Sequence, residues 1–182
     1  MIDSNAQKIA SQCRHYAMCK IDYLGTGLCP SAENGNYVSY YPQGRMDLYK
    51  AIAANAVPMT PRLLDIADTC TLCGNCDKQC YFVTELRPMI VMRALKKYVA
   101  EYKAVKKPLD RIPSNPTLDE FKNALGEKWA TNDPAILVGY ADDPCPLAAP
   151  VLPQYVVVPK TKTQGNNALT NKSKLNVINP SE

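Results

Sequence analysis

Residues 69–80 read TCTLCGNCDKQC and place four cysteines in a continuous C-x2-C-x2-C-x3-C run: Cys70, Cys73, Cys76 and Cys80. Structural zinc sites usually join two separated CxxC pairs, so that four thiolates close one tetrahedron. In a run as tight as this one, three thiolates bind one iron–sulfur cubane and the fourth cysteine reaches a second cluster. The run therefore predicts half of a two-cluster iron–sulfur site, and a zinc site is the alternative.

The other half of this site lies upstream, in the run CRHYAMC at residues 13–19. Cys13 and Cys70 are 57 residues apart, and so are Cys19 and Cys76, which indicates an internal repeat. Tyr16 stands at the position that matches Cys73, and Cys29 follows after a longer gap and precedes a proline. The second half is therefore present but lacks one thiolate.

Crossed ligation assigns these cysteines to two clusters. The first cluster takes Cys29, Cys70, Cys73 and Cys76, and the second takes Cys13, Cys19 and Cys80. The missing ligand of the second cluster is predicted among these side chains: His15, Tyr16, Asp22 and Cys145. Alternatively, the second cluster has three irons, or only one cluster forms and Cys13 and Cys19 are ordinary buried thiols. Structural roles for His15 and Cys145 also stay open.

The bulk properties of the 182 residues narrow the class of protein. The net charge of +4 is mild and the Lys and Arg residues are scattered, which argues against nucleic acid as a partner. No secretory signal opens the chain, and no apolar run approaches the ~18 residues that cross a bilayer. We therefore expect a cytoplasmic protein, attached to the inner membrane only through partners if at all. In that compartment eight cysteines indicate metal binding.

The composition changes near Pro108, and ten of the fifteen prolines lie from this residue onward. We predict a helical iron–sulfur domain at 1–107, a proline-rich linker at 108–116 and a small α/β part with a polar tail at 117–182. Helices are predicted at 45–55, at 60–70 with Thr60 as its cap, and at 87–107 with a solvated lysine face or, alternatively, a docking surface. The fold class is therefore mainly α.

The second region contains weaker signals. A capping box from Thr117 to Glu120 starts a helix that Gly126 ends, and Asp133 starts a short one. Strands are predicted at 155–159 and 175–178, while 164–174 makes a poor helix.

The paired cysteine motifs and intervening helices resemble the α-helical ferredoxin family, for which CTLCGNC is the usual core. This family includes the C subunit of heterodisulfide reductase and the iron–sulfur parts of glycerol-3-phosphate, glycolate and lactate dehydrogenases. The resemblance implies a helical domain that holds two [4Fe-4S] clusters and relays electrons. Tyr81 stands where the family has proline and Tyr16 where it has cysteine, and both departures concern the second cluster.

Residues 133–164 are similar to the N-terminal segment of FAD-linked oxidases of the glycolate oxidase and D-lactate dehydrogenase type. That resemblance implies that this region packs on or completes a flavin domain. The chain has no glycine-rich phosphate loop, so the FAD is expected in a partner or in a missing C-terminal part. The implied partners are an FAD-linked oxidase subunit and an electron-transferring flavoprotein or heterodisulfide reductase-like unit.

Three functions are compatible with the sequence. The first is an electron relay between a flavin and a downstream acceptor. The second is a zinc-bound structural module, and the third is a hydratase-type Lewis acid at an iron left open beside Tyr16. Arg45 is predicted either to pack or to meet the carboxylate of a partner.

Overall fold

The computed structural model describes residues 1–22, 24–25, 27–32, 37–142 and 149–170, with side chains up to residue 166. Its α-helices are α1 Ser4–Ser11, α2 Pro42–Ala53, α3 Pro61–Asp68, α4 Asn75–Thr84, α5 Pro88–Ala104, α6 Pro116–Leu125, α7 Pro134–Leu137 and α8 Lys162–Thr170. Strands β1 Ala130–Thr131 and β2 Val156–Val157 pair antiparallel. The predicted mainly helical class is confirmed. Within the described residues, no helix combines the length and apolarity that crossing a membrane requires.

The internal repeat seen in the cysteines extends to the helices that precede them. Helices α1 and α3 begin and end at positions 57 residues apart. Their N-caps match as well, because Asp3 accepts the N–H of Ala6 and Thr60 accepts the N–H of Leu63. These caps satisfy backbone donors that would otherwise lack a partner in the first turn. Each cysteine run therefore follows a short helix with the same kind of N-terminal cap.

The two runs then follow the same unusual backbone path. His15 and Leu72 have φ of 55° and 56°, and Ala17 and Gly74 have φ of 60° and 85°. Ala17 immediately precedes the 3₁₀ turn Met18–Lys20 in the first repeat, and Gly74 immediately precedes α4 in the second. The alternation of left-handed and ordinary residues turns the chain tightly, so cysteines three residues apart can face one side.

Helix α2 is the centre of the core, and α1 and α5 pack against it. Leu48 on α2, Leu63 on α3 and Leu95 on α5 are fully buried in one hydrophobic cluster. Each such side chain contributes about 1.5–3 kcal/mol relative to an exposed one. Gly44 lets α2 start against the 3₁₀ turn Val38–Tyr40, because a Cβ there would lie 2.4 Å from the Val38 carbonyl oxygen.

The second predicted region does not have a wholly separate core. Ile136 on α7 is fully buried in the same cluster as α2 and α3, whereas α6 forms a small second cluster around Phe121. Residues 107–115 contain no helix or strand, as expected for a linker. The domain boundary itself stays a prediction.

Two local predictions in this region need correction, and a third lies outside the described residues. The N-cap of α6 is Asn115 rather than Thr117, because Pro116 fits the first helical position. Helix α8 covers part of the stretch predicted to be a poor helix, and Thr161 accepts the N–H of Gln164 in its first turn. The predicted strand 175–178 lies outside the described residues.

Candidate functional site: two cysteine-lined recesses

Four cysteines line a recess of about 300 Å³ at the start of α4, which we call the first recess. They are Cys29, Cys70, Cys73 and Cys76. None of the cysteines that the structure describes is in a disulfide. The Cys73 side chain is exposed, whereas the other three are partly buried. The recess therefore joins the tight run to the distant Cys29 and has one edge in solvent.

Arg45 of α2 lies against this recess and is 0% exposed. Its Nε donates to the carbonyl oxygen of Ile66 at 2.9 Å, and its Nη2 donates to Thr69 Oγ1 at 3.0 Å. Its Nη1 donates to the carbonyl oxygen of Tyr40 and lies 3.9 Å from the Cys29 sulfur. All of these partners are neutral oxygens or a thiol. Among the described residues, no ion pair joins Arg45 to a carboxylate.

A buried guanidinium without a negative partner is costly, because its charge loses the solvation of water. The first recess therefore carries an uncompensated positive charge beside its thiols. The prediction that Arg45 meets a partner's carboxylate is wrong, because the side chain is inaccessible. An arginine in the first turn of a helix is usually solvated, and no periodicity of the sequence indicated its burial.

Three further cysteines line a second recess of about 380 Å³: Cys13, Cys19 and Cys80. This second recess also includes His15, Tyr16 and Gln43 in its lining. At the second recess, the end of α4 lies against the first cysteine run. The seven described cysteines are thus grouped as four and three, in the two sets that crossed ligation assigns.

Burial controls the protonation of these thiols. Desolvation raises the pKa of Cys13, Cys76 and Cys80, and it raises the pKa of Cys19 to about 12 even though the N–H of Gln43 donates to its sulfur. These four thiols are therefore neutral at pH 7 without a cation. A metal bound by them must displace their protons.

His15 lines the second recess, but its ring nitrogens face carboxylates. Its Nε2 lies 2.9 Å from Asp47 Oδ1 and its Nδ1 lies 3.9 Å from Asp142 Oδ2, with the side chain 6% exposed. Within the described residues, these three are the one His/Cys/Asp/Glu group whose ligand atoms come within 4.8 Å of one another. Lys50 Nζ already contacts both carboxylates, at 3.2 and 3.3 Å. The group is therefore an ion-pair network with its own cation.

Tyr16 and Asp22, two other side chains considered as the missing ligand, lie in different surroundings. Tyr16 is 60% exposed. Asp22 accepts hydrogen bonds from Gln79 Nε2 at 2.8 Å and from the N–H of Gly27 at 2.9 Å. Cys145 lies outside the described residues.

The spacing of the sulfurs bears on the kind of metal. Among the described residues, no three cysteine sulfurs lie within 4.8 Å of one another. Around a tetrahedral zinc ion with Zn–S bonds of about 2.3 Å, the sulfurs are about 3.8 Å apart. The described thiols are therefore not arranged as a single zinc tetrahedron requires.

Lys96 fixes the end of α3 where it meets the first recess. Its Nζ donates to the carbonyl oxygens of Asp68 at 3.0 Å and Cys70 at 2.8 Å, and more weakly to that of Ala67. The lysine face predicted for α5 is thus not purely solvated. No sequence pattern indicated this contact, because the lysine and its acceptors are far apart along the chain.

Helix α2 connects the two recesses. Pro42, its first residue, lines both of them. The N-terminus of a helix carries a positive partial charge, which favours anions.

Comparison of the chain with known protein families, with curated proteins and with solved structures finds no match.

Proposed function

We propose that this chain is an iron–sulfur electron-transfer protein of the α-helical ferredoxin type, which relays single electrons between a flavin-containing partner and a downstream acceptor. In this proposal, Cys29, Cys70, Cys73 and Cys76 bind a [4Fe-4S] cluster in the first recess. The second recess holds another cluster through Cys13, Cys19 and Cys80. Such clusters supply reversible one-electron chemistry when bound.

The observation that carries this proposal is the buried, carboxylate-free guanidinium of Arg45 beside Cys29. A cubane with four thiolate ligands is an anion, so it would neutralise this charge. No neutral packing group could do so. Arg45 would also favour the more negative, reduced state, and would therefore raise the reduction potential of that cluster.

The surface around the recesses supports exchange of electrons with a partner. Among the described residues, eight of the thirteen exposed large apolar side chains lie in the two cysteine-bearing segments: Tyr16, Ile21, Leu24, Leu28, Leu72, Tyr81, Phe82 and Val83. Phe82 is the most exposed of them, at 71%. Apolar side chains concentrated at one part of a surface are typical of docking sites. Cys73, also exposed, brings the first recess to that surface.

The flavin of this proposal belongs to a partner chain or to a further part of the protein. Its support is the likeness of residues 133–164 to the N-terminal segment of FAD-linked oxidases. In such a complex the flavin would take two electrons as a hydride from a 2-hydroxy acid or a similar substrate. The present chain would then pass those electrons on singly.

Crossed ligation is tested by electron paramagnetic resonance on anaerobically reconstituted variants. Cys76→Ser and Cys29→Ser should alter the same reduced-cluster signal, although these cysteines are far apart in sequence. Cys80→Ser should spare that signal and alter the other, although Cys80 is four residues from Cys76. The proposal fails if the reconstituted wild-type chain shows no reducible signal, or if Cys76 and Cys80 act on one signal and Cys29 on neither.

A further inference from the structure

The side chain of Gln43 is buried without using its oxygen. Gln43 is the second residue of α2, lines the second recess and is 8% exposed. Its Oε1 is inaccessible and accepts no hydrogen bond from any residue that the structure describes. An unsatisfied buried acceptor costs about 1–3 kcal/mol, and native proteins contain few of them. Some group that the described residues do not supply is therefore expected at this oxygen.

The second recess lacks a fourth cysteine ligand, because only three of the described thiols line it. Two of the other polar side chains in its lining, Thr84 and His15, are already engaged. Thr84 Oγ1 donates to the carbonyl oxygen of Cys80 and accepts the N–H of Leu86, and both ring nitrogens of His15 face carboxylates. Tyr16 is exposed. Among the described lining residues, Gln43 is thus the one whose side chain is buried and whose oxygen accepts no hydrogen bond.

Gln43 also neighbours the thiols, because it lines the same recess as Cys13, Cys19 and Cys80. Its side-chain oxygen is buried and has no partner among the described residues. Side-chain amide oxygens are established ligands of hard cations, whereas thiolates hold iron–sulfur cores.

We propose that the amide oxygen of Gln43 is the fourth protein ligand in the second recess, at the iron that three cysteines leave open. This inference rests on the function proposed above. A neutral oxygen in place of a thiolate makes that cluster less negative than one with four cysteines. It also holds its iron less firmly, since amide oxygen is a weaker ligand for iron than thiolate.

The test compares Gln43→Leu with Gln43→Glu after anaerobic reconstitution with iron and sulfide. The wild type and Gln43→Glu, which keeps an oxygen donor, should hold about eight irons per chain, in two cubanes. Gln43→Leu should lose about one iron and show a three-iron signal in the oxidised state by electron paramagnetic resonance. Its circular dichroism and the signal of the first cluster should match those of the wild type, which excludes misfolding.

Tyr16→Phe and Cys145→Ser are the matched controls, since these residues are two of the four side chains predicted from the sequence as the missing ligand. Both should retain the iron content and spectra of the wild type. A three-iron signal in the wild type, no change in Gln43→Leu, or a three-iron signal in either control but not in Gln43→Leu would overturn the assignment. Absence of sulfide-bridged iron from the wild type would instead overturn the proposed function, and two cubanes that are indifferent to Gln43 would leave that function intact.

Discussion

Ala17 and Gly74 occupy equivalent places in the two cysteine runs, 57 residues apart, and both have a left-handed backbone. Each is the residue immediately before the helical segment that presents the third position of its run. Gly74 adopts this conformation without strain, whereas Ala17 has a Cβ that disfavours it. The turn of the first repeat is therefore strained at Ala17, whereas the turn of the second repeat is unstrained at Gly74.

Exchanging these two residues should have opposite effects on stability. Ala17→Gly relieves strain and should raise the free energy of unfolding by about 0.5–1 kcal/mol. Gly74→Ala should lower it by about 1 kcal/mol, through backbone strain alone, because nothing lies within 4 Å of the added Cβ. Urea denaturation followed by circular dichroism measures both. Equal signs for the two changes would contradict the matched turns.

Lys96→Met should destabilise the chain by about 1–2 kcal/mol. The substitution keeps the apolar stem but removes the ammonium that donates to the carbonyls at the end of α3. Lys97→Met is the control on the same helix, since Lys97 is largely exposed and its nearest carboxylate is 4.0 Å away. Urea midpoints should separate the two variants. Equal loss in both would mean that the Lys96 contacts contribute nothing specific.

Arg45→Met should lower the reduction potential of one cluster by about 60 mV, which for one electron corresponds to a charge interaction of about 1.4 kcal/mol. Arg45→Lys keeps the positive charge and should shift the potential less. Arg62→Met is the control, because Arg62 bonds the Tyr40 hydroxyl and does not line either recess. Anaerobic redox titration measures all three. An unchanged potential in Arg45→Met would remove the electrostatic role of this residue.

Asp133 makes stability depend on pH. Burial raises the pKa of its carboxyl, and the hydrogen bonds from the Ala135 N–H and the Thr60 hydroxyl only partly oppose this. The folded state thus holds the proton more tightly than the unfolded state, so ionisation lowers stability as the pH rises above the ordinary pKa of 3.8. Asp133→Asn should therefore be more stable than the wild type at pH 7.

The difference between Asp133→Asn and the wild type should vanish at pH 3, where both side chains are neutral. Urea denaturation at the two pH values measures it. Asn keeps an oxygen that can accept both hydrogen bonds, so loss of the cap does not confuse the comparison. Lower stability of Asp133→Asn at pH 7 would show that the ionised carboxylate gains more from its two donors than it loses by burial.

Local features of this chain were predictable because their causes are local. Thr60 and Pro61 start α3 as their types require, and the constant offset of the cysteines revealed the repeat. Arg45 and Gln43 were not predictable, since their burial depends on where α2 packs. The cap of α6 was misplaced because the capping box at Thr117 competes with an equally suitable Asn115 before proline.

Metal analysis of the wild-type chain, purified without exposure to air, tests the central claim most directly. We predict about eight iron atoms and as many acid-labile sulfides per chain, a brown colour and a signal on reduction by electron paramagnetic resonance. Stoichiometric zinc without acid-labile sulfide would contradict the claim, and the two recesses would then hold a structural metal rather than an electron relay.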